Sequence, residues 1–510
     1  MNDKLNDALN EISDKYLTEA ETYQKRHFPY WIAAAAALLA LVIGLTVALW
    51  NPGPSDPMLE HTHSTNCSCR PTPSTGLTTP PTTPKPSGIT PPDHLLLANL
   101  AAAPVYPKMV PYPNRADYPD YESYNAAWRA WRNSANTQYN QPDGYADSLA
   151  NFFQASIAQF LQGEGNTAYS PLNVYMAMAM LAETTGGSSR QQILDLFGVN
   201  SIEELRTQAG HVWNAHYCDD GQSTILMANS LWLDHKFPYH QEAADRLAQY
   251  YYASTFHGDL GTATLNQQLR DWLNANTGGL LKDQANNVEL SQDTVFALAS
   301  TIYFTAGWID EFSKGNTYDE TFHAPTGDIQ TPFMHQTRRD TYYRGTNFGA
   351  IRLWLGDTNK MWLILPDEGF TTEDILKSDE YLQLTLNPGR WYGITYKIHL
   401  SLPKFDVVQQ QDLIQGMKQL GVTDIFNSSI SDFSPISNMR DLFVSQINHA
   451  ARVTIDEEGC TAAAFTVIMA DNTGAPSEVE ELYFTLDRPF LFIISSRDNL
   501  PLFAGIVKEL

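Results

Sequence analysis

The rhythm of apolar and polar positions divides the 510-residue chain into stretches of different kind. Residues 1–29 mix charges, with Leu5, Leu9 and Ile12 at helical spacing. Tyr30–Trp50 is a run of 21 residues without a charge, rich in Ala, Leu and Val. At about 1.5 Å per helical residue it is long enough to span the roughly 30 Å core of a bilayer. Residues 51–92 are Pro-, Thr- and Ser-rich, a composition that builds no core and predicts an extended, partly polyproline spacer. Residues 93–143 carry an apolar patch at Leu95–Leu97, several tyrosines and prolines, and a short-helix signal around Trp128 and Trp131. A semi-ordered stalk is expected there.

From Asp143 onward the pattern is that of a folded domain. Leu149, Phe152, Phe153, Ile157, Phe160 and Leu161 have the three-and-four spacing of an amphipathic helix over 145–161. Val174–Ala182 has no polar face and no breaker, which predicts a fully buried helix ended by Gly186 and Gly187. Thr264–Asn276 predicts an amphipathic helix closed by Gly278. Strands are predicted at Ile225–Leu233, Thr294–Phe304, Lys360–Leu365, Tyr396–Leu402 and Phe490–Ser495. Helices come mainly early and strands mainly late, so the class is α+β with a largely antiparallel sheet.

One run stands apart. Glu457, Glu458 and Gly459 are followed by Cys460–Ala470, which has no charge and no proline. Taken every second residue, Cys460, Ala462, Ala464, Thr466, Ile468 and Ala470 form a face that fits a core. Asp471, Asn472, Thr473 and Gly474 then break the pattern as a turn or loop. On its own the run is a strand or a poor helix.

Charge and composition narrow the choices. A net charge of −25 argues against nucleic acid and anionic membrane surfaces as partners. Four cysteines are too few for a disulfide scaffold. His61, His63, Cys67 and Cys69 fall in the spacer, but no second ligand pair follows at zinc-finger spacing, so no metal or other cofactor is expected. Lys25, Arg26 and His27 precede the apolar run, and no Lys or Arg follows it until Arg70. The positive-inside rule then places residues 1–29 in the cytoplasm and everything after Trp50 outside. The run is too long for a cleaved signal, so a retained single-pass signal anchor is expected. There is no nucleophile elbow, phosphate loop, HExxH or dinucleotide fingerprint. Ser188, Ser189 and the histidines mark no triad, and His449 is expected to be a buried histidine in a polar network. An enzyme is not expected.

Several separate motifs resemble the serpins, across residues 144–510. NTAYSPLNVYMAMAMLAETTGGSSRQQI at 166–193 resembles the family's Asn-x-x-x-Ser-Pro segment and buried helix. ANSLWL at 228–233, LNQQLRDWLNANTGGLL at 265–281 and STIYFTAGWIDEF at 300–312 follow in family order. So do ILPDEG, LSLPKFD, LGVTDIF and SDFSPIS, and then FTLDRPFLFII at 484–494 and the closing PLFAGIV. The resemblance implies three β-sheets, eight or nine helices and an exposed reactive loop. It makes Glu457, Glu458, Gly459, Cys460, Thr461, Ala462, Ala463, Ala464, Phe465 and Thr466 the hinge of that loop. The implied activity is suicide inhibition of a serine protease. The protease attacks the loop and forms an acyl-enzyme. The loop's first part then enters the large sheet as a new strand before deacylation.

The composition of the run suits that fate. A charge on the inserting face would cost several kcal/mol, and a proline would delete ladder bonds. Roughly fourteen residues at about 3.3 Å carry the cut end roughly 46 Å. Counting from the hinge puts the reactive bond at Thr473–Gly474; counting back from Pro489 puts it near Glu478. Insertion depends on length from the hinge, so Thr473–Gly474 is preferred. A small uncharged Thr473 points to elastase-like or subtilisin-like targets. The loop is longer than the family's common length, which leaves Glu478, Glu480 and Glu481 on its distal side. Cys460 is uncommon at the first insertion position, and its oxidation is expected to hinder insertion.

The resemblance also maps Ser170, Asn173, Ser300 and His449 to the shutter, where the sheet opens, and Trp308 and Lys404 to the breach at its top. Asn173 and Ser300 stand where the family usually has serine and asparagine. A bond from Asn173 or Ser300 to His449 is expected, as is a pair between Lys404 and Glu457. A monomer is expected, with a target protease as its covalent partner. The alternative is a non-inhibitory protein on the same fold, serving as a surface-binding module or adhesin.

Overall fold

The computed structural model describes residues 100–106, 113, 115–219, 223–356, 358–460 and 480–510. Tyr30–Trp50, the His61–Cys69 cluster and the loop positions Thr461 to Gly474 lie outside the described residues. Among the described residues no helix is long and apolar enough to cross a membrane.

The described chain opens with β1 (Leu100–Ala102), α1 (Tyr121–Tyr139) and α2 (Ala150–Phe160). After β2 (Thr167–Tyr169) come four helices: α3 (Pro171–Thr184), α4 (Gly187–Phe197), α5 (Ile202–His216) and, beyond β3 (Cys218–Asp219) and β4 (Ser223–Asp234), α6 (Gln241–Tyr251). Then follow β5 (Ala253–Gly258), α7 (Ala263–Asn276), α8 (Lys282–Asn286) and β6 (Phe296–Gly307). The strand-rich half holds β7 (Thr317–Ala324), β8 (Gly327–Arg344), β9 (Phe348–Leu355) and β10 (Asn359–Pro366). Next are α9 (Thr372–Leu376), α10 (Glu380–Leu386), β11 (Gly393–Pro403), β12 (Phe405–Asp412) and α11 (Ile414–Gln419). The chain closes with β13 (Asn448–Ile455), β14 (Gly459–Cys460), β15 (Glu481–Thr485), β16 (Phe490–Ser495) and β17 (Pro501–Val507).

The strands form one eight-stranded sheet in the order β1-β5-β4-β6-β14-β13-β12, with β3 beside β4. The other nine strands form a network that narrows between β8 and β9, where Tyr343 and Arg344 alone register with Ala350 and Gly349. It therefore divides into β15-β11-β8-β7 and β9-β10-β16-β17-β2, giving three sheets in an α+β fold. Helix α3 runs through the core. All its residues but Ala177 are buried, as its lack of a polar face predicts. Its one buried acid, Glu183, is met by Arg206 at 2.7 Å and Arg246 at 2.5 Å. On the other side of the large sheet, Leu265, Leu269 and Trp272 of α7 pack on Trp232 and Phe256.

Three expectations change. The helix expected over 145–161 begins as a 3-10 turn at Asp147–Leu149, and its α-helical part runs from Ala150 to Phe160. Eleven α-helices, not eight or nine, occur among the described residues. Several are connections of five to seven residues: α8, α9, α10 and α11. Such single turns carry too little periodicity to be read from sequence. The stretch read as a semi-ordered stalk contributes an edge strand and a 19-residue helix. β1 pairs with β5, and Tyr106 stacks among Trp213, Tyr217 and Tyr252 at centroid distances of 5.7 to 6.1 Å. Burying these side chains against existing surface fixes chain that no local signal marks.

Candidate functional site

The hinge begins with a tight turn after β13. The Asp456 carboxylate Oδ1 accepts from the backbone N–H of Glu458 at 2.9 Å and of Gly459 at 3.2 Å. Asp456 N–H donates to the Gly459 carbonyl at 3.1 Å. This Asx-type closure turns the chain back on itself. Gly459 sits at φ +152°, and a Cβ there would stand 2.3 Å from the Ala306 carbonyl oxygen. Only glycine fits, because the obstacle is backbone.

The turn delivers Gly459 and Cys460 between two strands. Gly459 pairs with Gly307 and Cys460 with Ala306 on β6, while Cys460 also faces Ile455 on β13. Cys460 is buried, and the Thr305 hydroxyl donates to its carbonyl at 3.2 Å. Below the level of Gly459 and Cys460, β6 and β13 have no ladder with each other among the described residues. Adjacent strands lie about 4.8 Å apart, so at the level of β14 these two stand a full strand position apart. A cleft under Cys460 is lined by Leu280, Ile302, Phe304, Ala451 and Val453.

Around the turn lie the residues that the resemblance assigns to the breach. Lys404 Nζ lies 2.8 Å from Glu457 Oε2, the pairing expected from the sequence, and the Thr317 hydroxyl donates to Oε1 at 2.9 Å. Burial alone would raise the Glu457 pKa, but its hydrogen bonds and the Lys404 charge outweigh it and hold the carboxyl below its usual range. Phe312 N–H donates to the Glu457 carbonyl at 3.1 Å. Trp308 is buried and grips the turn by its backbone: its indole N–H donates to the Asp456 carbonyl at 2.9 Å and its amide to the Glu458 carbonyl at 3.0 Å. Lys314 meets Glu458 at 2.6 Å on the exposed side.

The residues that the resemblance assigns to the shutter lie at and around the N-terminus of α3. Ser170 caps that helix by accepting from Asn173 N–H at 3.4 Å, and Pro171 at the first position needs no partner. The Ser170 hydroxyl donates to the Leu502 carbonyl at 2.7 Å, and its backbone N–H donates to His449 Nε2 at 3.1 Å. That acceptor role makes His449 a neutral ring protonated on Nδ1. Burial pushes its pKa down to about 4. The Ser300 hydroxyl donates to Asn173 Oδ1 at 2.6 Å.

One expectation fails here. Neither Asn173 nor Ser300 bonds His449. Ser300 is on β6 and His449 on β13, and among the described residues these two strands share no ladder. The helix end beneath reaches each separately, Asn173 to β6 and Ser170 to β13. His449 lies in a buried polar contact, as its sequence context implied, with the Tyr169 ring edge-on at 5.3 Å. Sequence reading missed Asp456, Thr317 and Tyr169. Asp456 had a signal, an Asp three residues before a glycine at a strand end. Thr317 had none, since it meets Glu457 from a strand 140 residues away.

A family model described as serpin (serine protease inhibitor) matches residues 148–510. The chain belongs to the serpin family. This serpin is 30% identical over 342 residues to the human leukocyte elastase inhibitor, covering 65% of this chain and 89% of that one. It is 28% identical to bovine plasminogen activator inhibitor 1, with 72% and 94% covered. A serpin-like protein of Thermococcus kodakarensis is 26% identical, with 68% and 82% covered. Among solved structures, the thermophilic serpin tengpin in its native state gives a TM-score of 0.65 at 24% identity, covering 73% of this chain and 95% of that one. The family is one of protease inhibitors rather than enzymes. The α3 end meets β6 through Asn173 and β13 through Ser170, and Gly459 and Cys460 of β14 sit between those two strands.

Proposed function

We propose that this serpin is a suicide-substrate inhibitor of serine proteases with Thr473–Gly474 as its reactive bond. The observation that carries the proposal is the seat of Gly459 and Cys460 between β6 and β13, above strands that share no ladder. After acylation at Thr473, the residues following Cys460 add to that seat one by one. The cut end travels down the sheet, and the protease with it. The inward positions Ala462, Ala464, Thr466, Ile468 and Ala470 carry no charge, so nothing in the sequence opposes burial. The mechanism leaves the uncleaved form metastable. Elastase-like and subtilisin-like proteases are the proposed targets. Tyr30–Trp50 is proposed as a single-pass anchor that displays a monomeric inhibitor on the outer face of the cell membrane.

The full chain incubated with elastase-like, subtilisin-like and trypsin-like proteases tests this. A covalent complex that survives boiling in detergent, with the released fragment starting at Gly474, is the expected result. Cleavage without a complex overturns inhibition and leaves a surface-binding protein on this fold. Protease added to intact cells separates an anchored, outward-facing domain, which is shed, from an internal one, which is not.

A further inference from the structure

One face of β9, β10 and β16 gathers hydrogen-bond donors and positive charge that the rest of the fold does not match. Arg352 and Trp354 on β9 register with Trp362 and Lys360 on β10, and Lys360 registers with Ser495 on β16. Directly opposed residues of an antiparallel pair share a face, as do alternate residues of one strand, so these side chains lie on one side of the strands. Lys360 is 6% exposed, and Trp362 and Ser495 are fully buried. Arg352 and Trp354 are half-buried and carry the patch to the surface.

The Arg352 Nε, the Trp362 indole nitrogen and the Ser495 hydroxyl are each buried without a hydrogen-bond partner among the described residues. A buried donor without an acceptor is costly, and three on neighbouring rungs call for a common one. Lys360 spends two of its three N–H bonds, on Asn499 Oδ1 at 2.8 Å and on the Arg497 carbonyl at 3.3 Å. The charges are unmatched as well. The Arg352 guanidinium carbon lies 5.1 Å from the Trp354 ring centroid, 5.8 Å from that of Trp362 and 5.9 Å from that of Tyr343, and Lys360 Nζ lies 5.3 Å from that of Trp354. The rings temper a buried cation but supply no anionic oxygen. Among the described residues no carboxylate pairs with Arg352 or Lys360, and the nearby Asp498 is engaged by the Tyr145 hydroxyl at 3.0 Å. Burial, with the Arg352 charge adding to it, pushes the Lys360 pKa down to about 8.

Arginine, lysine and an indole can only donate. A water in the patch would accept, but it leaves both charges unopposed and brings protons of its own to place. We infer that the patch binds a free inorganic oxyanion, phosphate or sulfate, on the Arg352 fork and the third N–H of Lys360, with Trp362 and Ser495 as further donors. Planar guanidinium forks match such anions. Three of the four donor side chains are buried, which selects a compact ion over the same group carried on a larger molecule. This inference and the inhibitory reading stand independently of each other.

Equilibrium dialysis of the full chain against radiolabelled phosphate, with sulfate or chloride as competitor at equal ionic strength, reads the binding directly. The expected result is one phosphate per chain, displaced by sulfate and not by chloride. Thermal melts give a second reading. Both oxyanions raise melting points without a site, so the measure is the saturable part, a rise of about 2 °C at about ten times the dissociation constant. Arg352→Gln is expected to weaken binding about ten-fold or more. Lys360→Met weakens it to a smaller extent, and Arg440→Gln, at an exposed arginine elsewhere, leaves it unchanged. Should Arg352→Gln fail to fold, Arg352→Lys, which keeps the charge and loses the fork, takes its place with the same direction of effect. No phosphate or sulfate bound by the unaltered chain overturns the inference and leaves the orphaned donors to water. Binding of equal strength in every variant, or displacement by chloride, overturns it as well.

Discussion

Glu457 and His449 are two buried ionisable side chains held in opposite ways. Glu457 is charged and held by Lys404 and Thr317. Lys404→Met leaves the carboxylate buried with a single hydroxyl partner and is expected to destabilise the native state by about 3 kcal/mol. Urea unfolding at pH 7 checks the stability, and native gels check for polymers formed as the hinge loosens; a midpoint and gel pattern like those of the unaltered chain would refute it. His449 is neutral. Its folded pKa of about 4 lies below its ordinary value, so the unfolded chain takes up a proton first as pH falls. Stability is therefore full above about pH 6.5 and lost progressively down to about pH 4, by about 3 kcal/mol at most. Protonation also removes the acceptor for Ser170 N–H. Urea midpoints at pH 7.5 and 4.5 should differ more in the unaltered chain than in His449→Gln, and equal differences would count against this assignment.

At the scale of elements, the N-terminus of α3 is a staple between two strands that share no ladder among the described residues, with one prong to β6 through Asn173 and Ser300 and one to β13 through Ser170 and His449. Removing one prong frees the sheet to part. Asn173→Ala is expected to lower the thermal midpoint by several degrees, since it leaves the half-buried Ser300 hydroxyl without its partner, and to speed polymer formation on gentle heating. Size-exclusion chromatography after incubation below the midpoint measures the second effect. Much of this was legible in the sequence. The apolar run Val174–Ala182 and the strand runs each carry their structure in local pattern. The Ser170, Trp308 and Lys404 positions came through family motifs. What was not legible is what depends on distance across the fold. The bond from His449 went to Ser170 because two strands stand apart, and no local feature encodes that spacing. Leu100–Ala102 became an edge strand for the same reason, since its partner lies some 150 residues on.

At the scale of the whole molecule, the proposed mechanism adds one strand to the large sheet after cleavage. In the eight-stranded sheet Gly459 and Cys460 of β14 sit between β6 and β13. Supplying the missing rungs after cleavage adds ladder bonds at about 0.5–1.5 kcal/mol each together with apolar burial. On the order of 10 kcal/mol of added stability is expected. Thermal unfolding before and after limited proteolysis between Thr461 and Val479 is the measurement. A rise of tens of degrees is expected, and an unmoved midpoint would mean that the cut loop stays outside the sheet.

The turn from Asp456 to Gly459 has a consequence for timing. Starting a strand pair is the slow part of building one, because the chain must be closed before any rung rewards it. Here the closure is already made and the first rung is in place, so under the proposed mechanism what remains is propagation, with no lag at the start. The race between trapping and escape is then run on track length alone. Residues added between Thr461 and Thr473 should leave the moment of departure unchanged and delay the arrival. The number of inhibitor molecules consumed per protease trapped should then climb with each added residue, as a titration of protease activity would register.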